Sequence, residues 1–207
     1  MSVVDRQKHW NEVYRTKGDS ETSWFEAAPA LSLALIEAVD GAPNLWVIDV
    51  GGGTSHLVDE LVTRGFDGVA VLDLSEAALA AAKKRLGDRA AHVEWIAADV
   101  TTWEPEHQFD IWHDRAAFHF LTEAADRAAY VAIARRALRI GGHLIIGAFA
   151  LDGPEKCSGL PVMRYSAERL AKAIGSGFRL VESRDYVHWT PWGDSQHFVF
   201  CRFERIA

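Results

Sequence analysis

The hydrophobic positions form short apolar runs that alternate with segments of helical spacing. "LWVIDV" at residues 45–50 and "DGVAVLDL" at 67–74 predict two strands, and the segment between them repeats apolar residues every three or four positions, which is typical of an amphipathic helix. The same alternation continues downstream, because strands are predicted over 91–100, 108–113 and 141–150 and helices over 75–87 and 122–138. Strands alternating with helices indicate a parallel sheet that is covered on both faces.

The two ends of the chain depart from this alternation. Residues 5–17 and 29–39 predict two helices before the first strand. Residues 177–190 and 195–205 are strand-like and are separated by the turn signal "PWGD", which favours an antiparallel hairpin at the sheet edge. We expect one domain over 1–207, with an N-terminal helical lid (1–42), a ligand-binding core (43–150) and a final part with a loop, a helix and the edge hairpin (151–207).

Composition narrows the class of protein. The 207 residues are 49% hydrophobic, enough for a full core, and 22 basic against 29 acidic residues give a net charge of −7 with no block of five like charges. Nucleic acid and anionic membranes are therefore not expected as partners, and with no apolar stretch long enough to span a bilayer we expect a cytoplasmic protein. The two cysteines and nine scattered histidines lack metal-site spacing, so no metal is predicted.

Three consecutive glycines, Gly51, Gly52 and Gly53, follow the first strand. The carboxyl ends of parallel strands are where such sheets bind ligands. A dinucleotide fingerprint would need a third spaced glycine where His56 stands, and a phosphate loop would need a lysine before Ser or Thr. Both phosphate-binding interpretations are therefore disfavoured.

An acid also stands near the end of each of the first three predicted strands. Asp49 precedes the glycines and suits a cation better than a pyrophosphate, whereas Asp73 stands where an acid can accept ribose hydroxyls. Asp99 can accept from an adenine amine while Val100 lies against the ring. The set predicts a cationic, ribose-containing ligand without phosphate.

The stretch "DVGGG" resembles the first motif of the class I S-adenosylmethionine-dependent methyltransferases. The resemblance implies a Rossmann-like, seven-stranded, mostly parallel α/β sheet with helices on both faces and a C-terminal antiparallel hairpin. It also implies S-adenosylmethionine as cofactor, with the Gly51 and Gly53 backbone near its methionine part. The cofactor site predicted in this way comprises Trp10, Trp24, Asp49, Gly51, Gly52, Gly53, Ser55, Asp73, Leu74, Asp99, Val100 and His113.

Residues 109–130, "FDIWHDRAAFHFLTEAADRAAY", resemble the thiopurine S-methyltransferases and their bacterial tellurite-resistance relatives. Those enzymes carry Trp-Asp-Arg-Gly-Ala after the fourth strand and Asp-Arg-x-x-Tyr in the next helix, and "HWNEVY" and "SWFE" look like their aromatic lid. A similar Asp-Lys-Gly run occurs in relatives of protein-lysine methyltransferases. Asp114, Arg115, Ala117, Asp126, Arg127 and Tyr130 match the thiopurine pattern, whereas His113 and Ala116 replace its tryptophan and glycine.

The candidate catalytic residues follow from this segment. Arg115 could favour a thiolate, and His113 or His119 could accept its proton, whereas a lysine acceptor would use Asp114 and the aromatic residues. The alternative is that these residues have structural roles: His113 and His119 could be buried and bonded to the backbone, Asp114 and Arg115 could form an internal salt bridge, and Cys157 could pack as a small residue. The glycine- and proline-rich loop 151–166 is a candidate acceptor lid. The predicted acceptor contacts are Tyr14, Phe25, Arg115, Phe118, Cys157, Arg164 and Tyr165.

These observations predict a methyltransferase that acts on a small molecule with a soft nucleophile, such as a thiol, sulfide or related chalcogen species. A protein-lysine N-methyltransferase is the second hypothesis. The third is a non-catalytic S-adenosylmethionine-binding regulator, and an NAD-dependent oxidoreductase is more distant because of His56. The acceptor, the catalytic base and the oligomeric state stay open.

Overall fold

A seven-stranded sheet organises the chain, of which the computed structural model describes residues 3–207. The sheet order is β3-β2-β1-β4-β5-β9-β8, in which β1 to β5 pair in parallel and β9 pairs antiparallel with both β5 and β8. The predicted architecture is thus confirmed, including the edge hairpin. The strands are β1 (Trp46–Val50), β2 (Gly68–Asp73), β3 (Val93–Ala97), β4 (Phe109–Arg115), β5 (Leu138–Phe149), β6 (Lys156–Cys157), β7 (Leu160–Pro161), β8 (Phe178–Trp189) and β9 (Ser195–Arg205).

Helices cover both faces of the sheet, which explains why its central strands read as continuous apolar runs. Ile48 of β1 packs into one hydrophobic layer with α5 and α6, and Val47 into the other with α2, α3 and α4. The helices are α1 (Val3–Thr16), α2 (Ala30–Glu37), α3 (Leu57–Thr63), α4 (Glu76–Leu86), α5 (Ala124–Ala137) and α6 (Ala167–Ile174). None of the described helices is long and apolar enough to cross a membrane.

Two element boundaries affect the site. Helix α3 begins at Leu57 after His56, and Ser55 Oγ accepts from the Leu57 backbone N–H at 3.2 Å. Strand β4 continues two residues past the predicted end, so that Asp114 and Arg115 belong to the strand.

The loop after β5 contains a small hairpin that the sequence did not predict. Strands β6 and β7 pair across Ser158 and Gly159, which both have positive φ, as two-residue hairpin turns require. The Tyr165 N–H donates to the Phe149 carbonyl at 2.9 Å and returns the loop to the end of β5. The hairpin thereby holds Cys157 beside the carboxyl ends of the strands.

Candidate active site at the carboxyl ends of the strands

A cleft of about 810 Å³, including its open mouth, runs along the carboxyl ends of the parallel strands. One end, called the β3 end, is lined by residues after β2 and β3 together with Arg6. The other, called the β4 end, is lined by Trp24 and by residues after β4 and in β6. The β3 end consists of Asp73, Leu74, Asp99, Val100 and Arg6, and the β4 end of Arg115, Ala116, Ala117, Phe120, Cys157 and Trp24.

The glycine turn forms the floor between the two ends. Gly51 has φ +68°, and a Cβ there would lie 2.5 Å from the Ala117 Cβ. Gly53 has φ +52°, and a Cβ there would lie 2.5 Å from Tyr14 Oη. Glycine is therefore required both by the left-handed backbone and by the close approach of neighbouring segments.

Arg85 of α4 braces the segment after these glycines. Its guanidinium donates to the Thr54 carbonyl at 2.9 Å and the Ser55 carbonyl at 2.8 Å, and it binds Asp59 with its shortest contact at 2.7 Å. The sequence analysis missed this role. Arg85 follows two lysines at a helix end, where basic side chains are common because they interact favourably with the helix dipole.

Asp73 ends β2 with its carboxylate at the cleft wall and is 6% exposed. Its Oδ1 accepts from the Ser75 N–H at 2.7 Å. Burial raises the pKa of Asp73 to about 6, against the opposing effect of the backbone N–H donors of Ser75, Gly53 and Leu74, and the charge of Asp49 adds to the rise. Since a carboxylate accepts about four hydrogen bonds, capacity remains for a hydroxyl group in the cleft.

Asp99 lies at the far edge of the β3 end and already has protein partners. Its Oδ1 accepts from the Thr101 N–H at 2.8 Å and the Thr101 hydroxyl at 2.6 Å, while Oδ2 pairs with Arg6 at 3.1 Å. Arg6 also pairs with Asp126 at 2.9 Å, so this residue, missed in the sequence analysis, ties α1 to the rim.

Aromatic rings form the wall of the cleft opposite the strand ends. The Trp10 ring centroid lies 5.0 Å from that of Phe120, 5.9 Å from that of Trp24 and 6.2 Å from that of Tyr14. The predicted lid segments "HWNEVY" and "SWFE" thus meet over the same cleft, and their apolar rings restrict access of water.

Comparison with known proteins agrees with this geometry. Residues 47–142 match a family model described as a methyltransferase domain. The match covers 96 of the 207 residues, and over this range the chain is similar to a methyltransferase domain.

Similar proteins act on different acceptors. The chain is 23% identical to the eEF1A lysine and N-terminal methyltransferase of Mus musculus over 168 residues. The aligned part covers 81% of this chain but 22% of the relative, so the chain spans about a fifth of that relative's length. A structure described with the conversion of a disulfide bond into a thioacetal group in echinomycin biosynthesis superposes with a TM-score of 0.76 at 22% identity, covering 97% of this chain and 91% of that one. The Burkholderia thailandensis 1,6-didemethyltoxoflavin-N1-methyltransferase, with its substrate and S-adenosylhomocysteine bound, gives 0.76 at 20% identity, covering 100% and 92%.

The residues at the β3 end fit S-adenosylmethionine. Asp73 has a buried carboxylate that would suit the ribose, Leu74 and Val100 have apolar side chains that would suit the adenine, and Gly51 exposes backbone to the cleft. Among the described residues no group of three or more His, Cys, Asp or Glu side chains is arranged to hold a metal ion.

Asp49, by contrast, does not face the cleft as predicted. It is 2% exposed, and its Oδ1 lies 2.7 Å from His113 Nδ1 on the neighbouring strand, while His113 Nε2 lies 2.9 Å from Ser32 Oγ. The predicted cofactor and catalytic roles of His113 are contradicted by the same contacts, because the ring is buried and both of its nitrogens are engaged within the protein. The triad joins β1, β4 and α2 behind the glycine turn.

Asp114 is also turned away from the cleft, contrary to its predicted catalytic role. Its Oδ2 accepts from the Tyr130 hydroxyl at 2.7 Å, and its carboxylate accepts from the backbone N–H groups of Ala117 at 2.8 Å and Phe118 at 3.0 Å. Burial raises the pKa of Asp114 to about 6, although these donors act in the opposite direction. The matched Asp-Arg-x-x-Tyr motif thus supports the loop after β4, since Arg127 likewise donates to the carbonyls of Leu121 and Thr122 at 2.7 Å.

His119 is fully buried, which contradicts its predicted role as a base. Its ring packs between Phe120 and Phe149, and neither nitrogen has a hydrogen-bond partner among the described residues. Burial lowers the pKa of His119 to about 3, so the ring is neutral at physiological pH.

Several other predicted contacts also lie outside the cleft lining. Arg164 pairs with Glu155 at 2.9 Å, and Tyr165 and Phe118 stack on each other in the core. Phe25 contacts the His56 ring instead. Gly52 packs on Asp49, where a Cβ would lie 2.7 Å from Oδ2. The predicted residues that line the cleft are Trp10, Tyr14, Trp24, Gly51, Asp73, Leu74, Asp99, Val100, Arg115 and Cys157.

Ala116 follows β4 with φ +67°, a left-handed conformation that is costly for residues other than glycine. The thiopurine S-methyltransferase pattern has glycine at this position. The structure thus explains that glycine as a backbone requirement, which alanine meets here with some strain.

Proposed function

We propose that the protein transfers a methyl group from S-adenosylmethionine to a small acceptor that arrives with its nucleophile already available, with thiols, sulfide and related chalcogen species as the leading class. The observation that carries this proposal is the asymmetry of the cleft, in which carboxylates line the β3 end and an aromatic wall lines the β4 end. The resemblance to the thiopurine and tellurite-resistance group supports a sulfur or chalcogen acceptor.

The β3 end provides cofactor recognition. Asp73 accepts from the ribose, Leu74 and Val100 enclose the adenine, and Asp99 lies where an adenine amine can share its carboxylate with Arg6 and Thr101. The bound cofactor supplies an electrophilic methyl group on a sulfonium. The Gly51 backbone, which closely approaches Ala117, would hold the methionine part near the loop after β4 and so present the methyl group to the β4 end.

The β4 end provides alignment and exclusion of water. Methyl transfer is an in-line displacement, which an enzyme accelerates chiefly by holding the two reactants in line. Trp10, Trp24 and Phe120 form an apolar wall that excludes water from the nucleophile. Arg115 also lines this end, where its positive charge can favour an anionic acceptor even though it is paired with Glu26 at 3.2 Å.

None of the described side chains that line the β4 end is a base for proton removal. Arg115 is a cation, and burial raises the pKa of the Cys157 thiol to about 11, against the hydrogen bond from Ser23. The acceptor must therefore already be a thiolate, a hydrosulfide or another species with a free lone pair.

A nitrogen acceptor is the second candidate. It is supported by two of the similar proteins, which are named as a lysine and N-terminal methyltransferase and as an N1-methyltransferase. A ring nitrogen with a free lone pair also needs no base, whereas a protein lysine must first lose a proton. A non-catalytic cofactor-binding protein is the alternative of another class.

The deciding experiment measures S-adenosylhomocysteine release over a panel of thiols, hydrosulfide, N-heterocycles, amines, carboxylates and a protein extract. We expect turnover with thiols or hydrosulfide at a rate that rises with the ionised fraction of the acceptor. Turnover with nitrogen compounds or proteins alone would overturn the sulfur assignment. Binding of S-adenosylhomocysteine without turnover on any acceptor would favour the regulator.

A further inference from the structure

Glu26 lies at the centre of a charged cluster beside the β4 end of the cleft. Its side chain is 12% exposed, its Oε2 pairs with Arg115 at 3.2 Å, and its Oε1 accepts from the Tyr186 hydroxyl at 2.9 Å. His188 Nδ1 lies 3.1 Å from the same Oε1. Tyr186 and His188 belong to β8, so the C-terminal hairpin holds a carboxylate of the N-terminal part of the chain.

Both ring nitrogens of His188 face hydrogen-bond acceptors. Its Nε2 lies 2.6 Å from the Ser23 carbonyl, and its Nδ1 lies 3.1 Å from the Glu26 carboxylate. His188 therefore connects β8 to two groups of the N-terminal part of the chain. Burial alone would raise the pKa of Glu26, but the hydrogen bond from His188, the charge of Arg115 and the hydrogen bond from Tyr186 lower it. The Glu26 carboxylate is therefore held in its ionised form beside the Arg115 guanidinium.

This cluster fixes residues 22–26, which we call the Trp24 segment. Arg115 donates to the Trp24 carbonyl, and His188 donates to the carbonyl of the preceding residue, Ser23. The Trp24 ring then lies 5.9 Å from Trp10 and 6.1 Å from Tyr14 across the cleft. The wall of the β4 end consequently depends on β8, although no residue of β8 lines the cleft.

We propose that Glu26 and His188 are positioning residues that hold the Trp24 segment and Arg115 against the acceptor. The assignment of the acceptor to this end rests on the proposed function, whereas the closure itself does not. The ionisable groups that face His188 are Glu26 in the same segment, Arg115 from β4 and Tyr186 from β8. Arg115 and Lys17 also act on the Cys157 thiol, which lies in β6.

Cys157 provides a readout of closure that needs no turnover. It is 6% exposed beneath the Trp24 segment, and Ser23 hydrogen-bonds to its thiol. Cys201 is 0% exposed in β9 and serves as an internal reference for the intact fold. These are the only two cysteines of the chain, so alkylation by iodoacetamide can be followed at each site by peptide mass spectrometry.

The test compares the wild type with Glu26→Gln and His188→Asn at one pH. Loss of hydrogen bonds to charged groups should expose Cys157 and speed its alkylation about tenfold or more, while Cys201 stays protected. Glu182→Gln is the matched control, because it changes a β8 carboxylate that instead binds Arg202 at 2.6 Å, and it should leave the Cys157 rate unchanged. Unchanged Cys157 rates in both variants would overturn the proposal.

In the methyl-transfer assay, the same variants should raise the acceptor KM about tenfold and leave the S-adenosylhomocysteine Kd unchanged. A larger S-adenosylhomocysteine Kd with an unchanged acceptor KM would place the effect of the substitutions at the β3 end and overturn the positioning role. Absence of methyl transfer in the wild type would remove the proposed function but leave the alkylation test in force, so the two failures are distinguishable.

Discussion

The two ends of the cleft differ in how much hydrogen-bonding capacity their ionisable groups leave for a ligand. At the β3 end, Asp73 lines the cleft and keeps capacity for a hydroxyl group, whereas Asp99 is shared with Thr101 and Arg6. At the β4 end, Arg115 is paired with Glu26, and behind the cleft lining Asp114 accepts from the Tyr130 hydroxyl. Under the proposed function, polar contacts would recognise the cofactor, whereas the acceptor would be aligned in an apolar pocket that excludes water.

This contrast also separates two kinds of preorganisation. A carboxylate with free hydrogen-bonding capacity, such as that of Asp73, would gain hydrogen bonds when the ligand binds. The hydrogen-bond network of Asp114, in contrast, is complete within the protein and keeps the loop after β4 in one conformation before any ligand binds. Substitutions at the two ends should therefore affect different measurements, with binding affinity sensitive at the β3 end and folding stability at the β4 end.

Asp114→Ala should have the largest effect. It leaves the Tyr130 hydroxyl and the backbone N–H groups of Ala117 and Phe118 without an acceptor in the interior, so we expect the free energy of unfolding to fall by about 3 kcal/mol or more. Urea denaturation measures this loss, with the exposed Asp152→Ala as a control that stays near the wild type. Unchanged stability together with lost turnover would instead make Asp114 a catalytic residue.

The affinity for S-adenosylhomocysteine should depend on pH through the β3 end. Burial raises the pKa of Asp73 to about 6, and the ionised carboxylate accepts a hydrogen bond from a ribose hydroxyl more strongly than the neutral acid does. A proton therefore competes with the ligand below that pH, and the Kd should rise about tenfold per pH unit below about 6 and be constant above it. Calorimetry from acidic to neutral pH checks this, and persistence of the dependence in Asp73→Asn would rule out Asp73 as its origin.

His119→Leu should have the opposite effect on stability to Asp114→Ala. Removing a buried ring with no hydrogen-bond partner should leave stability unchanged or raise it by up to about 1 kcal/mol, and turnover should persist. His113→Leu is the matched variant, and it should destabilise the fold because it leaves Asp49 buried without its partner. Loss of turnover in a stable His119→Leu protein would support the prediction that His119 is the catalytic base.

Ala116→Gly should have the smallest effect. Glycine relieves the strain of φ +67°, and we expect about 1 kcal/mol of added stability. Ala117→Gly, at φ −99°, is the control and should be slightly destabilising. Equal effects at both positions would show that the backbone strain at Ala116 contributes nothing.

The fold and the β3 end could be predicted because their signals are local. Apolar runs of strand length, helical spacing and the glycine turn fix the order of elements, and Asp73 and Asp99 follow from their positions near strand ends. Asp49 shows the limit of this reasoning. It also stands at a strand end, but the β1–β4 register places it beside His113, which turns the carboxylate toward a neighbouring strand.

The β4 end could not be predicted because its contacts join distant parts of the chain. Glu26 and His188 are 162 positions apart, and Trp24 and Arg115 are 91 apart, so no spacing rule relates them. A motif such as Asp-Arg at 114–115 identifies ionisable residues near a site, but burial and partners decide whether they face the acceptor or stabilise the loop.

The central claim, that the β3 end is a preformed cofactor site, is tested most directly by calorimetric titration of S-adenosylhomocysteine into the wild type, Asp73→Ala and the surface variant Asp152→Ala. We expect one site in the wild type, the same Kd in Asp152→Ala, and a Kd raised by about 30-fold or more in Asp73→Ala through loss of charged hydrogen bonds. No binding to the wild type, or an unchanged Kd in Asp73→Ala, would contradict the account.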